Sequence, residues 1–210
     1  GNIGSTNTTG NFTLNAGNTL VLSDNVTTFN TANMSLRGDT VLNLGNATSG
    51  YNRSSGNALT MNANITMASN STINIGNGTT ITGDIVGASS GQGTINIVGN
   101  FTSGGSFGAV QGNAGADSIL SSLEQINISK GNTFTLNHNA TATRMNINGT
   151  VTVAGNITAA VTMGADGILN LNNESGDDNA AKVVGAIQSY VAGTAQGTLN
   201  INGTFTTQGA

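Results

Sequence analysis

Apolar residues alternate with Thr, Asn or Ser in short runs along nearly the whole chain. The runs include FTLNA (12–16), TLVLS (19–23), TVLNLG (40–45), ALTMNANITM (58–67), STINIG (71–76) and TTITGDIV (79–86). They continue as TINIVGNFT (94–102), QINIS (125–129), TFTLNHNATA (133–142), MNINGTVTVAGNIT (145–158), GILNLN (167–172), KVVGAI (182–187) and TLNINGTFT (198–206). A two-residue period is that of a strand with one face buried. Gly, Asn and Asp separate the runs and supply turns, because they tolerate positive φ. No 3.6-residue stripe of useful length occurs. ADSILSSLEQI (116–126) is the one stretch that suits a helical turn or two, and its SLEQINI portion reads better as a further strand.

The runs repeat one another. GNTLVLSDNVT (17–27), GNALTMNANIT (56–66) and GNTFTLNHNAT (131–141) share Gly-Asn at the start, apolar residues at the fourth and sixth positions, Asn at the ninth and Thr at the eleventh. T-[IL]-N-[IL] recurs at 72–75, 94–97 and 198–201, with near-copies at 40–44 and 168–171. Two longer copies, 93–105 and 197–209, lie 104 residues apart. A constant local pattern at irregular spacing predicts a β-solenoid with variable loops. A coil of roughly 20 residues cannot bury its own apolar face, but coils stacked at about 4.8 Å bury one central column. Roughly ten coils would make a rod on the order of 50 Å long. Equivalent Asn residues at turns are expected to form amide ladders. An antiparallel β-sandwich is the rival; it explains the copies less well, because sandwich strands are not normally copies of one another.

Composition narrows the reading. The 210 residues hold 33 Asn, 31 Thr and 31 Gly, no Pro, Cys or Trp, and 7% charged residues with a net charge of −4. The absence of Pro suits a chain whose amides are committed to one ladder. Five scattered Lys and Arg form no basic stripe, so nucleic acid is not an expected partner. No apolar run approaches the ~18–20 residues of a membrane span. The lack of Cys excludes disulfides and thiolate metal sites, and it suits export. GNIGSTNTTG is not a signal peptide, and the chain reads as a fragment or a processed product of a longer protein.

ITGDIVGASSGQGTINIVGNFTSGGSFGAV (81–110), followed by SLEQINISKGNTFTLNHNATATRMNINGTVTVAGNIT (122–158), resembles passenger-domain repeats of bacterial autotransporters, in particular the rickettsial outer-membrane-protein-B type surface proteins. The resembling frame covers about 78–158 and returns at 183–209. The resemblance implies a secreted right-handed β-helix at the bacterial cell surface, with adhesive or surface-layer roles. It brings no catalytic residue. The translocator barrel that anchors such passengers has no counterpart in this sequence.

Several residues carry candidate chemistry. GASSG (87–91) matches G-x-S-x-G with Ser89 as nucleophile, and His138 is the chain's single His. That motif needs a strand, a sharp turn and then a helix. Here a turn leads into the strand TINIV, so a polar turn and an exposed His are expected instead. GNAGADSIL (112–120) approaches a calcium nonapeptide, with Asn113 at the second glycine and Asp117 at the ligand position; tandem copies are missing, so Asp117 is expected to be a turn aspartate. Glu174, Asp177 and Asp178, with Lys182 nearby, read as an exposed insertion at 173–180 rather than a cation loop. Sixteen Asn residues stand in N-x-S/T, among them Asn11, Asn64, Asn100, Asn156 and Asn202, and are expected to serve as ladder and turn residues. Thr-x-Thr at 80–82, 133–135, 141–143, 150–152 and 204–206 suggests an ice-binding face only under strict coil-to-coil spacing, which these intervals lack.

The expectation is therefore a single all-β domain over 1–210, a parallel β-solenoid with short variable loops. It needs no cofactor and no metal. Its expected function is non-enzymatic: an extracellular bacterial surface rod, structural or adhesive, whose partners would be a receptor on a host or neighbouring cell. The alternative is a self-assembling filament or surface-layer subunit joined through terminal coils, since no charge precedes Asp24 and none follows Lys182.

Overall fold

The computed structural model describes residues 2–4, 8–45, 53–54, 56–108, 121–172, 183–191 and 196–202. They form a parallel β-solenoid without a helix among the described residues, and all the strand pairings are parallel. The antiparallel sandwich is thereby excluded. One column of pairings traces the stack: Ile3, Phe29, Met61, Ile81, Ser103, then Leu136, Val153, Leu171 and Ile201. That makes nine levels and eight steps among the described residues, or ~38 Å at the ~4.8 Å inter-strand spacing. The early repeats belong to the same stack, since Thr9–Leu14 pairs with Thr28–Leu36 and that strand with Leu59–Met67.

Each coil has three sides. In the fourth these are Thr79–Ile81, Ile85–Gly87 and Thr94–Ile97. Longer strands turn a corner and serve two sides: Leu59–Met67 pairs with both Thr79–Ile81 and Ile85–Gly87. Alternation sends every second residue inward. On the third side Leu42, Ile73, Ile95, Ile126, Met145 and Val161 stack in one file, all fully buried. Phe101, Phe107 and Phe134 fill the core at the fifth and sixth levels, with near-parallel rings 5.6–6.1 Å apart. The step from one level to the next is short at Met61→Ile81 (20 residues), Phe134→Val151 (17) and Val151→Leu169 (18). It is long at Phe29→Met61 (32), Phe101→Phe134 (33) and Leu169→Leu199 (30); register holds through the last two, and at the first it slips by one residue at a bulge between Asn30 and Asn33.

The outward Asn of the T-[IL]-N-[IL] motif forms an amide ladder. Asn74 Nδ2 donates to Asn43 Oδ1 (2.7 Å), Asn96 to Asn74 (2.8 Å), Asn127 to Asn96 (2.8 Å) and Asn146 to Asn127 (2.8 Å). A second ladder links Asn200 to Asn170 (2.8 Å) and Asn202 to Asn172 (3.2 Å). An amide donates on one side and accepts on the other, so identical residues stack without conflict. These ladders run along strand faces; at corners and turns, where ladders were expected, Asn33 Nδ2 donates to Asn11 Oδ1 (3.1 Å) and Asn70 Nδ2 to Asp39 Oδ1 (3.0 Å).

The copies do not all stack on one another. The strands at 72–75 and 94–97 pair on the third side, but 198–202 pairs with Ile168–Asn172 on the first. The two longest copies thus occupy different sides, and 203–209 of the second lie outside the described residues. Likewise Leu20 and Leu22 of the 17–27 copy sit on the third side, whereas Leu59 and Met61, Phe134 and Leu136 sit on the first. Alternation is common to all three sides, so the repeated unit is a strand with its turn, not a whole coil.

One buried cation ties the first coils together. Arg53, 8% exposed, donates to Leu22 O (2.7 Å), Ser23 O (3.0 Å), Val26 O and Asn57 O (2.8 Å). Burial lowers its pKa, and the charge of Asp24 opposes that. The Asp24 carboxylate accepts from the Ser54 hydroxyl and from the Ser54 N–H (3.2 Å). The hydroxyl first, then the N–H, hold the Asp24 carboxyl below its ordinary pKa.

Replacing Asn96 by Asp keeps the acceptor for Asn127 but sets an oxygen against Asn74 Oδ1. N96D should lower stability by about 1–3 kcal/mol in urea unfolding; an unchanged midpoint would deny the ladder a stabilising role. Asp24 binds its proton less readily folded than unfolded. Its contribution is complete above the unfolded-state carboxylate pKa and fades as pH falls through the folded value. Thermal melts should show the advantage of the wild type over Asp24→Ala shrinking as the solution is acidified through that window.

Candidate functional site at a polar corner

The corner between the first and second sides carries one residue per level in the order Asn11, Asn33, Asn64, Asp84, Ser106, Asn139, Asn156. At most of these levels the sequence is Asn, then an inward apolar residue, then Thr or Ser, as in Asn64-Ile65-Thr66 and Asn156-Ile157-Thr158. This geometry explains many of the N-x-S/T triplets: the Asn starts a strand, the middle residue fills the core and the hydroxyl faces out. The corner side chains hold the backbone of the next level. Asn64 Oδ1 accepts from Asp84 N (3.2 Å), Asp84 Oδ1 from Ser106 N (2.7 Å) and Asn139 Oδ1 from Asn156 N (3.0 Å). At the corner between the third and first sides, Asn77 and Asn100 act alike, the latter accepting from Thr133 N (2.8 Å).

Beside that file runs a second one: Ala63, Gly83, Gly105, His138, Gly155. The backbones there approach too closely for a side chain. A Cβ on Gly83 would lie 2.0 Å from Ala63 O, one on Gly105 2.3 Å from Gly83 O, and one on Gly155 2.1 Å from His138 O. The glycines thus floor a trough in the corner. It holds two adjoining hollows of about 320 and about 280 Å³ that meet at Ser106 and His138. Asn64, Thr82 and Asp84 line the smaller; Asn137, Asn139 and Asn156 line the larger. The His138 ring is exposed and makes no hydrogen bond to a described residue.

Ser89 does not join this site. It lies exposed in the turn after Ile85–Gly87, at the corner between the second and third sides, two levels away from His138. The turn leads to the strand Thr94–Ile97, so the strand-to-helix elbow of G-x-S-x-G is not formed. Asp117, Asn113, Glu174, Asp177, Asp178 and Lys182 lie outside the described residues. Among the described residues no group of three or more acidic or His side chains is placed to hold a metal ion.

The threonines are more regular in space than in sequence. Thr28, Thr60, Thr80, Thr102, Thr135 and Thr152 form one outward file on the first side. Among the described residues the Thr-x-Thr units that stack directly are 133–135 and 150–152, Thr133 on Thr150 and Thr135 on Thr152; Thr141 stands on the second side beside Thr158, and 204–206 lies outside the described residues. The neighbouring outward file is mixed, with Asn62, Thr82, Gly104, Asn137 and Ala154, so the face is not a two-dimensional threonine grid.

The trough itself was not singled out from the sequence. Its glycines align only once coil lengths are known, because 83, 105 and 155 share no constant interval. Gly155→Ala should destabilise by about 1–3 kcal/mol through overpacking, whereas Gly10→Ala, with open space around its Cβ, should be close to neutral in the same thermal-unfolding experiment. No described helix is long and apolar enough to cross a membrane, which says nothing of β-barrels. Comparison with protein-family models, curated proteins and solved structures returns no match.

Proposed function

We propose that this chain is a non-enzymatic extracellular rod of a bacterial surface protein, acting in display or adhesion as autotransporter passengers do. The observation that carries the reading is the unbroken, fully buried apolar file on the third side, from Leu42 to Val161 through six levels, beneath outward faces of Asn and Thr. Such a stack extends by adding coils, and each coil templates the next. Its faces are polar but almost uncharged, so they stay hydrated without strong long-range attraction to nucleic acid or anionic lipid. Weak contacts repeated along the rod would then sum to useful avidity.

A specific observation favours the second reading, a filament or surface-layer subunit. Leu199 and Ile201 occupy inward positions on the last described strand yet are 42% and 45% exposed. At the other end Ile3, Phe12, Leu14 and Leu20 are half-buried. Neither end edge pairs with a further described strand, so each has backbone and apolar side chains that suit a following strand, whether of a continuing chain or of a second copy.

Negative-stain electron microscopy over a concentration series separates the two. Discrete short rods at all concentrations support the display reading. Filaments that lengthen with concentration, and that Leu199→Lys abolishes, would put the assembling subunit first. Compact particles of neither kind would reject both.

A further inference from the structure

We infer that the corner trough around His138 binds a neutral glycan chain. This names a ligand class for the adhesive reading and rests on it.

The argument begins with which atoms the trough leaves free. The Oδ1 atoms of Asn64 and Asn139 are taken by backbone N–H groups of the next level, at 3.2 and 3.0 Å. That fixes the orientation of both amides. Each therefore offers its Nδ2 hydrogens, and no described residue accepts from them. Asp84 spends Oδ1 on Ser106 N at 2.7 Å, which leaves Oδ2 as a free acceptor. Along the corner the free groups read donor at Asn64, acceptor at Asp84 and donor at Asn139, with a hydroxyl at Ser106 between the last two. Successive levels are ~4.8 Å apart.

A ligand that fits this row must donate and accept at short intervals. Phosphate and sulfate esters only accept, and Asp84 repels them. Ammonium and guanidinium groups only donate, and the two amides oppose them. Apolar chains would strip water from groups that they cannot pair. Hydroxyl groups both donate and accept, and a chain of sugar rings carries them at every step.

Shape agrees with chemistry. The trough is open, so a chain can lie along it without threading. Its two hollows, about 320 and about 280 Å³, adjoin at His138. The floor bears no side chains because Gly83, Gly105 and Gly155 admit none, so a ring can approach the backbone. His138 stands where the rest of that file has Gly or Ala. Its ring offers a flat apolar body with a polar edge, which suits the face of one sugar and a hydroxyl of the next. The ring is exposed and has no hydrogen-bond partner among the described residues.

The test is titration of the isotope-labelled whole chain with cellotetraose, maltotetraose and chitotetraose in turn, followed by amide chemical shifts. Saturable shifts at Asp84, Ser106, Asn139 and Gly155 are expected with at least one probe, at a dissociation constant on the order of 1 mM. His138→Ala and Asp84→Asn should each weaken that binding about tenfold, roughly 1.4 kcal/mol, while leaving the thermal midpoint in place. Asp84→Asn keeps an oxygen for Ser106 N, so a loss there reports the free acceptor and not the fold. Flat titrations with all three sugars, or shifts that neither variant changes, overturn the proposal. Short rods in electron micrographs of the same sample would then leave the display reading intact, and only their absence would remove it.

Discussion

In-register parallel stacking constrains everything else in this molecule. Each strand residue lies one inter-strand spacing from its counterpart in the coil before, so side chains meet neighbours at matched positions over and over. Charges fail under that rule, because like meets like. Apolar residues succeed inside, and amides succeed outside because one amide donates to the next. The ladder Asn43, Asn74, Asn96, Asn127, Asn146 satisfies the rule with one residue type over five levels. The 7% charged composition and the absence of Pro follow from the same rule. The exposed pair Lys130–Asp166, 2.9 Å apart, sits at turns, and Arg144–Glu124, 3.8 Å apart, joins two neighbouring strands as unlike charges; their contribution to stability is small.

What the stacking leaves free is coil length. The chain moves from one level to the next in 17 residues at Phe134→Val151 and in 33 at Phe101→Phe134 without loss of register. Sides are specified by pairing, so extra residues between them do not disturb the core. Early in the stack the Arg53 guanidinium supplies a different tie. It collects carbonyls from residues 22–26 and 57, where regular strand pairing gives way to turns. A buried guanidinium serves there because it can satisfy several carbonyls at once.

These two features explain what was legible in the sequence. Strand positions and the inward set, such as Ile73, Ile75, Ile95 and Ile97, follow from the two-residue period alone. An amide ladder was legible by residue type, since a stacked polar residue must both donate and accept, but its place on the strand face in TINI was not. Which strand stacks on which was not legible. TINI at 94–97 and TLNI at 198–201 read alike but lie on different sides, because every side imposes the same alternation. Side assignment needs the coil lengths, and the insertions hide them. The corner trough was invisible for the same reason. His138 entered only as a partner for Ser89, from which the fold separates it, and Asp84 was not singled out at all.

The corner also shows where a self-templating rod can carry recognition. A ladder of identical residues spends its donors and acceptors on itself, so the ordered faces have little left to offer a ligand. Free groups arise where the identity of the file breaks. The file Asn11, Asn33, Asn64 is interrupted by Asp84 and Ser106 before Asn139 and Asn156 restore it, and at those levels the side chains bond the backbone rather than one another. The Gly83, Gly105, Gly155 file breaks beside them, at His138. Two neighbouring files that depart from self-match at adjoining levels make one surface of different chemistry, on a backbone that the stack still holds in register. Variation of that kind changes what the rod binds and leaves the pairing that builds it untouched, so function in such a fold is best sought at the interruptions of its ladders.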